Sequence, residues 1–320
     1  MRKMSSQTIQ SSSLVAAEKE GSRALVHLAS GIGNIVLATP LLVALDQMGI
    51  IVDVLIDADY PQTADLLRHW SVVREIHVGP SRESLRHDCD FIIPAIPPYH
   101  WRRFKRFYSG AAHLVRRPPD QLFYQNEQEY YLWFARALGF PESSRPFYRL
   151  PICSSARYGV TSRTLVILPG SKTGEMTAKR WPHFSQLAEA FEDVSVVGTS
   201  DDLHHHDGTP YRFPTHARLF IDRLTLRETA ELLASAGAVV GNDSGLTHIA
   251  GAVGSLTFML FGPTPDKTLG HFPPNVKVLR SGFECEPCWL QSRFQACTAR
   301  ITCLHQLSVE AVEAELRKVI

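Results

Sequence analysis

The sequence predicts an α/β protein of two Rossmann-like domains, each a mostly parallel sheet flanked by helices. Three observations predict it. Short apolar runs alternate with helical stretches along most of the chain, the rhythm that parallel sheets require. That rhythm fails over 141–156, PESSRPFYRLPICSSA, where three prolines and four serines fall in an irregular stretch. It then restarts at TLVILP, 164–169. A chain of 320 residues is long enough for two such units. The expected organisation is a disordered tail over 1–22, an N-terminal domain over 23–150 and a C-terminal domain over 151–320.

Each element follows from local pattern. RALVHLA, 23–29, is the first strand, and SGIGN leads from it into a helix over about 35–48. Pro40 is tolerated there if it falls in the early turns. IVDVLI, 51–56, is a strand, with a helix near 61–70 after it. Short strands are expected at 74–78, 91–93 and 113–115. Asn126 to Leu138 is a helix with an aromatic-rich face. Beyond the break come a strand over 164–169, a helix over 181–191, a strand at 194–198 and a helix over 226–236. Residues 236–261 form a complete βαβ unit: an apolar run, the turn and helix GNDSGLTHIAGAVG, and a second apolar run. A last helix spans 308–320, with Ser308 as its cap.

Composition narrows the function. Apolar residues make up 44% and charged residues 20%, which is ordinary for a globular protein, and the formal net charge is +1. No global charge draws the chain to nucleic acid or membrane. No apolar run reaches the roughly 18 residues of a membrane span. Leu14 to Ala17 is too short for a signal-peptide core, so a cytoplasmic protein is expected.

The turn NDSG places Asn-Asp-Ser-Gly where a strand becomes a helix. A helix N-terminus offers unpaired N–H groups and the positive end of the dipole. Asp243 or Ser244 can cap it, and Gly245 lets another group approach the backbone. This is a phosphate site or, on its own, simply a capped helix. A second loop, LPGSKTGEMTAKRWPHF, 168–184, also follows a strand and ends in Lys179, Arg180, Trp181 and Pro182. Lys179 and Arg180 at the cleft mouth would neutralise a diphosphate. Two such loops in one domain favour nucleotide binding. GxxxxGK[ST] is absent, and SGIGNIVLA supplies only part of GxGxxG, so neither a P-loop nor a dehydrogenase is indicated.

GIGNIVLATPLLVAL, PGS…KRWP, VVGNDSGLTHIAGAVG and FGPTP occur in this order from residue 23 onward. Together they resemble glycosyltransferase family 9, the ADP-heptose:lipopolysaccharide heptosyltransferases. The resemblance implies the GT-B fold, with the donor held mainly by the C-terminal domain and inversion at the anomeric carbon. It implies a nucleotide-sugar donor, ADP-heptose, and a glycan or lipid-linked acceptor of the cell envelope. It also implies Lys179 on the donor diphosphate, the backbone of Ser244 and Gly245 on the same phosphates, and Asp243 capping the turn or bonding a sugar hydroxyl. His248, one turn into the helix, contacts the donor or is a packed core histidine; Thr247 is a weaker candidate.

One position departs from the family pattern. Gly33 is followed by Asn34 where the family usually has Asp, the group taken to accept the acceptor's proton. An amide has no useful basicity at neutral pH, although it can orient a hydroxyl. Three explanations stand. Another carboxylate serves, with Asp57 or Asp59 nearest by topology. Or transfer is slow and rests on positioning. Or the chain binds nucleotide sugar without turning it over.

Cys285, Cys288, Cys297 and Cys303 fall within 19 residues, and CxxC with two further cysteines suits a structural zinc or iron site. Reduced structural thiols or incidental disulfides are the alternative. Similar cysteines recur in some members of the resembled family, one version of which binds iron with different spacing. The catalytic step itself needs no cofactor. His204, His205 and His206 lie in a polar loop and are expected to be merely exposed. YHWRRFKRFYSGAAHLVRR, 99–117, interleaves basic and aromatic residues. It fits an anionic inner-membrane surface, a phosphorylated glycolipid acceptor, or a surface helix whose aromatics pack inward while its basic residues are solvated. Nothing accompanies it to indicate nucleic acid.

Overall fold

The computed structural model describes residues 21–79, 89–109, 111, 113–289, 297 and 302–320. The first sheet contains β1 (Arg23–Leu28), β2 (Ile51–Ile56), β3 (Val73–Val78) and β4 (Phe91–Ala95), ordered β3-β2-β1-β4 and parallel throughout. Its helices are α1 (Ile32–Gln47), α2 (Ala64–Leu67), α3 (Pro98–Phe104), α4 (Asp120–Gln125) and α5 (Glu127–Ala137).

The second sheet holds β5 (Leu165–Leu168), β6 (Val194–Gly198), β7 (Arg218–Ile221), β8 (Ala238–Asn242), β9 (Thr257–Leu260) and β10 (Val276–Leu279). Its order is β10-β9-β8-β5-β6-β7, again parallel. The strand order therefore reverses between β5 and β8, whose registers run from Leu165 beside Ala238 to Leu168 beside Gly241. Ligands in such sheets bind beyond the carboxyl ends of the strands, at this reversal. Helices α6 (Phe184–Glu189), α7 (Leu226–Leu233), α8 (Gly245–Ala252), α9 (Thr302–Gln306) and α10 (Val309–Leu316) complete the domain. Ser308 accepts from the Ala311 N–H at 3.2 Å and caps α10.

Several elements differ from their expected bounds. α1 starts at Ile32, before Ile35, so Pro40 lies in its interior. The hydroxyl of Thr39 donates to the Val36 carbonyl at 2.7 Å, the acceptor that Pro40 cannot serve. The helix expected over 61–70 shrinks to a 3₁₀ turn and the four residues of α2, because Arg68 turns to extended backbone, ψ 137°, and His69 follows in the left-handed region, φ 66°. The expected strand at 113–115 is a single bridge between Ile92 and Leu114. α6 begins at Phe184, leaving Trp181 and Pro182 in the preceding loop. β7 and β10 went unpredicted. Both are edge strands of four residues, RLFI and VKVL, with no residue fully buried and a basic residue in each.

The two halves share buried core. α1 packs on α5 within its own domain and on α8 of the other. Leu150 donates its N–H to the Ala252 carbonyl at 2.9 Å, and Arg149 donates its N–H to Thr39 Oγ1 at 3.1 Å. The connecting segment is thereby tied to both domains.

Candidate active site

Two loops leave the second sheet side by side, because β5 and β8 are neighbours. Asn242, fully buried at the end of β8, joins them. Its Oδ1 accepts from the Trp181 N–H at 2.9 Å, and its Nδ2 donates to the carbonyls of Pro169 at 2.7 Å and Gly170 at 3.2 Å. Lys179 is held two residues from that clamp. Its Nζ lies 2.8 Å from Asp243 Oδ2, which also accepts from Thr264 Oγ1 at 2.8 Å, and His248 Nε2 lies 3.3 Å from Asp243 Oδ1. Burial would push the Asp243 carboxyl up. The Lys179 ammonium and the His248 ring outweigh it and hold the carboxyl well below the usual range.

Ser244 is the residue before α8, in extended conformation, and its hydroxyl bonds Thr247 Oγ1 at 3.1 Å instead of capping the helix. Thr247 Oγ1 in turn donates to the Asn242 carbonyl at 2.6 Å. The N-terminus of α8 thus keeps its positive end beside the Lys179–Asp243 pair.

The N-terminal domain meets this turn directly. A Cβ on Gly245 would lie 2.9 Å from Ile32 Cβ and 3.3 Å from the Gly33 nitrogen; a Cβ on Gly33 would lie 3.3 Å from His248 Cδ2. The group that approaches Gly245 here is therefore the start of α1. One residue further, Asn34 Nδ2 donates to Glu127 Oε1 at 2.6 Å. Asn34 Oδ1 accepts from Ser30 Oγ at 2.9 Å and Tyr99 Oη at 3.4 Å. Glu127 also accepts from Tyr131 Oη at 3.2 Å. Burial pushes the Glu127 carboxyl up to about 7; the bonds from Asn34 and Tyr131 pull it down, the Asp243 charge pushes it up and Lys179 pulls it down.

The expected residues are distributed unevenly. Lys179, Asp243, Ser244, Gly245 and His248 converge, with Asn34 across from them. Arg180 does not stand at the cleft mouth. It is 3% exposed, and its guanidinium is spent inside the C-terminal domain on Ser171, the carbonyls of Asp201 and His204, and Asp202. Asp57 lies at the end of β2 with its carboxylate 3.3 Å from Arg103, which also pairs with Asp59. His248 packs against Tyr148 and Phe272, and its Nδ1 is buried with no hydrogen-bond partner.

The aromatic residues of the basic stretch pack inward. Phe104 and Tyr108 are buried, Trp101 stacks on Tyr108, and Arg117 lies over the Trp101 ring. Arg102, Lys105 and Arg106 are exposed. No disulfide joins Cys285, Cys288, Cys297 or Cys303. Among the described residues no group of three or more histidine, cysteine and acidic side chains is placed to hold a metal, so the zinc or iron expectation finds no support. Residues 290–296 and 298–301 of that segment lie outside the described residues. No helix among the described residues is long and apolar enough to cross a membrane.

Glu127 was not picked out from the sequence. Its partner Asn34 is 93 positions away, and an acid in the first turn of a helix is an ordinary complement to the dipole.

The family described as glycosyltransferase family 9 (heptosyltransferase) matches residues 110–297. The chain belongs to that family. The chain is similar to lipooligosaccharide heptosyltransferase 2 of Haemophilus influenzae, 38% identical over 122 residues, 35% of this chain and 35% of that protein. The matched segment spans about a third of that relative's length. Two solved structures share the fold over nearly the whole chain. The glycosyl transferase family 9 protein of Veillonella parvula gives a TM-score of 0.72 at 17% identity, covering 94% of this chain and 98% of that one. The Escherichia coli heptosyltransferase WaaC with ADP gives 0.66 at 18%, covering 93% and 100%. The family fold, two facing α/β domains of the GT-B type, is the fold described above.

Proposed function

We propose that this chain is an inverting glycosyltransferase that moves heptose from ADP-heptose onto a lipopolysaccharide-core acceptor. The single observation that carries the reading is the junction itself. The Lys179–Asp243–His248 cluster and the N-terminus of α8 lie against the start of α1, within a family whose solved member binds ADP. The diphosphate rests at the N-terminus of α8, where the helix dipole and Lys179 favour negative charge. As the bond from the anomeric carbon to the phosphate oxygen breaks, charge grows on the departing ADP, and these groups stabilise it. Asp243 fixes the position of Lys179 through its 2.8 Å contact. The acceptor hydroxyl arrives from the side of α1 and α3. The exposed Arg102, Lys105 and Arg106 of that side suit an acceptor carried on an anionic inner-membrane surface.

Transfer is tested with the purified full-length chain, ADP-heptose and two acceptors, heptose-free lipopolysaccharide and the same core carrying one heptose. Wild type is expected to release ADP and extend one of them. Lys179→Ala is expected to lower turnover by about 10²–10³-fold, the cost of removing one preorganised donor at a developing oxyanion. Absence of heptose transfer by wild type to either acceptor would overturn the reading. ADP bound by wild type without transfer would instead select a nucleotide-sugar-binding protein.

A further inference from the structure

We propose that Glu127 is the group that takes the proton from the acceptor hydroxyl, and that Asn34 is the positioning residue that holds it. The inference rests on the transferase reading above and supplies the step which Asn34 cannot perform.

The geometry separates the two oxygens of Glu127. Oε1 is anchored, accepting from Asn34 Nδ2 at 2.6 Å and Tyr131 Oη at 3.2 Å. Oε2 makes no hydrogen bond among the described residues, yet it is not among the side-chain atoms sealed from solvent without a partner. Glu127 is buried, 5% exposed, with Oε1 fixed by its donors and Oε2 left without a bond from the protein, the oxygen a general base would use. Since a carboxylate can only accept, an ionised Glu127 fixes which way the Asn34 amide points. Its oxygen faces the hydroxyls of Ser30 and Tyr99, and its nitrogen faces the carboxylate. The competing carboxylates are committed elsewhere, since Asp57 and Asp59 both pair with Arg103. Glu127 also lies close enough to the donor cluster to feel the charges of Asp243 and Lys179.

The groups that set its titration come from every neighbouring element. Asn34 lies on α1, Tyr131 on its own helix, Lys179 in the β5–α6 loop and Asp243 at the turn into α8, and Tyr99 of α3 interacts with the charge of the same carboxyl. Burial dominates and brings the carboxyl to about 7. In the step itself the acceptor O–H bond breaks and its oxygen bonds the anomeric carbon. The proton passes to Glu127 Oε2. The bond from the anomeric carbon to the phosphate oxygen breaks, and its electron pair leaves with ADP.

The test uses the full chain with the same donor and acceptors, read as kcat against pH and, separately, as ADP affinity by calorimetry. Glu127→Gln keeps an acceptor for the Asn34 amide but has no basicity. It is expected to lose about 10²–10⁴-fold in kcat while binding ADP within about threefold of wild type. Glu127→Asp is expected to recover part of that loss. Wild-type kcat is expected to fall on the acid side with a midpoint near 7. Turnover of Glu127→Gln within about fivefold of wild type would overturn the proposal. So would a wild-type profile flat from pH 5 to 8, or a loss that follows Asp57→Asn but not Glu127→Gln. Wild type that transfers nothing removes the transferase reading, and this step with it; the variants distinguish the two failures.

Discussion

At position 34 the family pattern and the local chemistry disagree. Restoring the family aspartate looks like a repair, but the structure predicts damage. Asn34→Asp replaces an amide that donates to Glu127 with a second carboxylate about 2.6 Å away. Two carboxylates at that distance share a proton, and one of them is driven to a higher pKa. The variant is expected to lose about tenfold or more of its activity at pH 7, with the acid limb of kcat displaced upward by about a unit or more. A kcat–pH profile measured beside wild type checks it. A gain in activity at pH 7 would mean that residue 34 itself serves as the base. Arg180 makes a related point. Its charge signalled a phosphate ligand from the sequence alone, but an arginine has five donors to satisfy, and here protein carbonyls and Ser171 take them.

At the scale of elements, the donor site depends on two loops that sequence treats separately. Asn242 makes them one object. Asn242→Ala strips the Trp181 N–H and the carbonyls of Pro169 and Gly170 of buried partners. It is expected to cost about 2–4 kcal/mol of stability and to raise the donor KM more than it lowers kcat, because Lys179 loses its fixed support. Urea unfolding beside steady-state kinetics separates these effects; an unchanged donor KM in a destabilised variant would reduce Asn242 to a core residue. The strand-to-helix turns were legible because local chemistry marks them: an apolar run, then small polar residues, then helix. The NDSG turn and KRWP loop could be read for that reason. Glu127 could not, since its meaning comes from a contact with a residue 93 positions distant. The edge strands β7 and β10 were lost for a different reason. Edge strands only half-buried and four residues long carry too little apolar pattern to stand out.

At the scale of the molecule, the domains are joined by shared core and by the close approach of α1 to α8, so buried charges in one affect the stability of the whole. Two such groups in the N-terminal domain act in opposite directions. His27, packed among Phe104, Phe107 and Tyr108, has its pKa lowered to about 3, first by burial and then by the charge of Arg103. Its unfolded value is about 6.5. Between 6.5 and 3 the unfolded chain binds the extra proton, so this group's contribution is present above 6.5 and is lost as pH falls. Glu127 is the reverse. Its folded value is about 7, against about 4.5 for the ordinary carboxyl. Between 4.5 and 7 the folded chain binds the extra proton, and stability is lost as pH rises through that window. Each slope is about 1.4 kcal/mol per pH unit. From pH 4.5 to 6.5 the two oppose each other, so each offsets the other's contribution to the unfolding free energy of wild type. His27→Gln removes one slope and should make stability rise less, or fall more, with pH across that range than it does in wild type. Glu127→Gln removes the other and should make it rise more, or fall less, with the gain over a wild type otherwise unchanged largest above pH 7. Urea unfolding of the three proteins at pH 4.5, 5.5, 6.5 and 7.5 measures both slopes. Parallel curves for wild type and Glu127→Gln would mean that this carboxyl titrates at its ordinary value, and that the buried base is not held protonated at the junction.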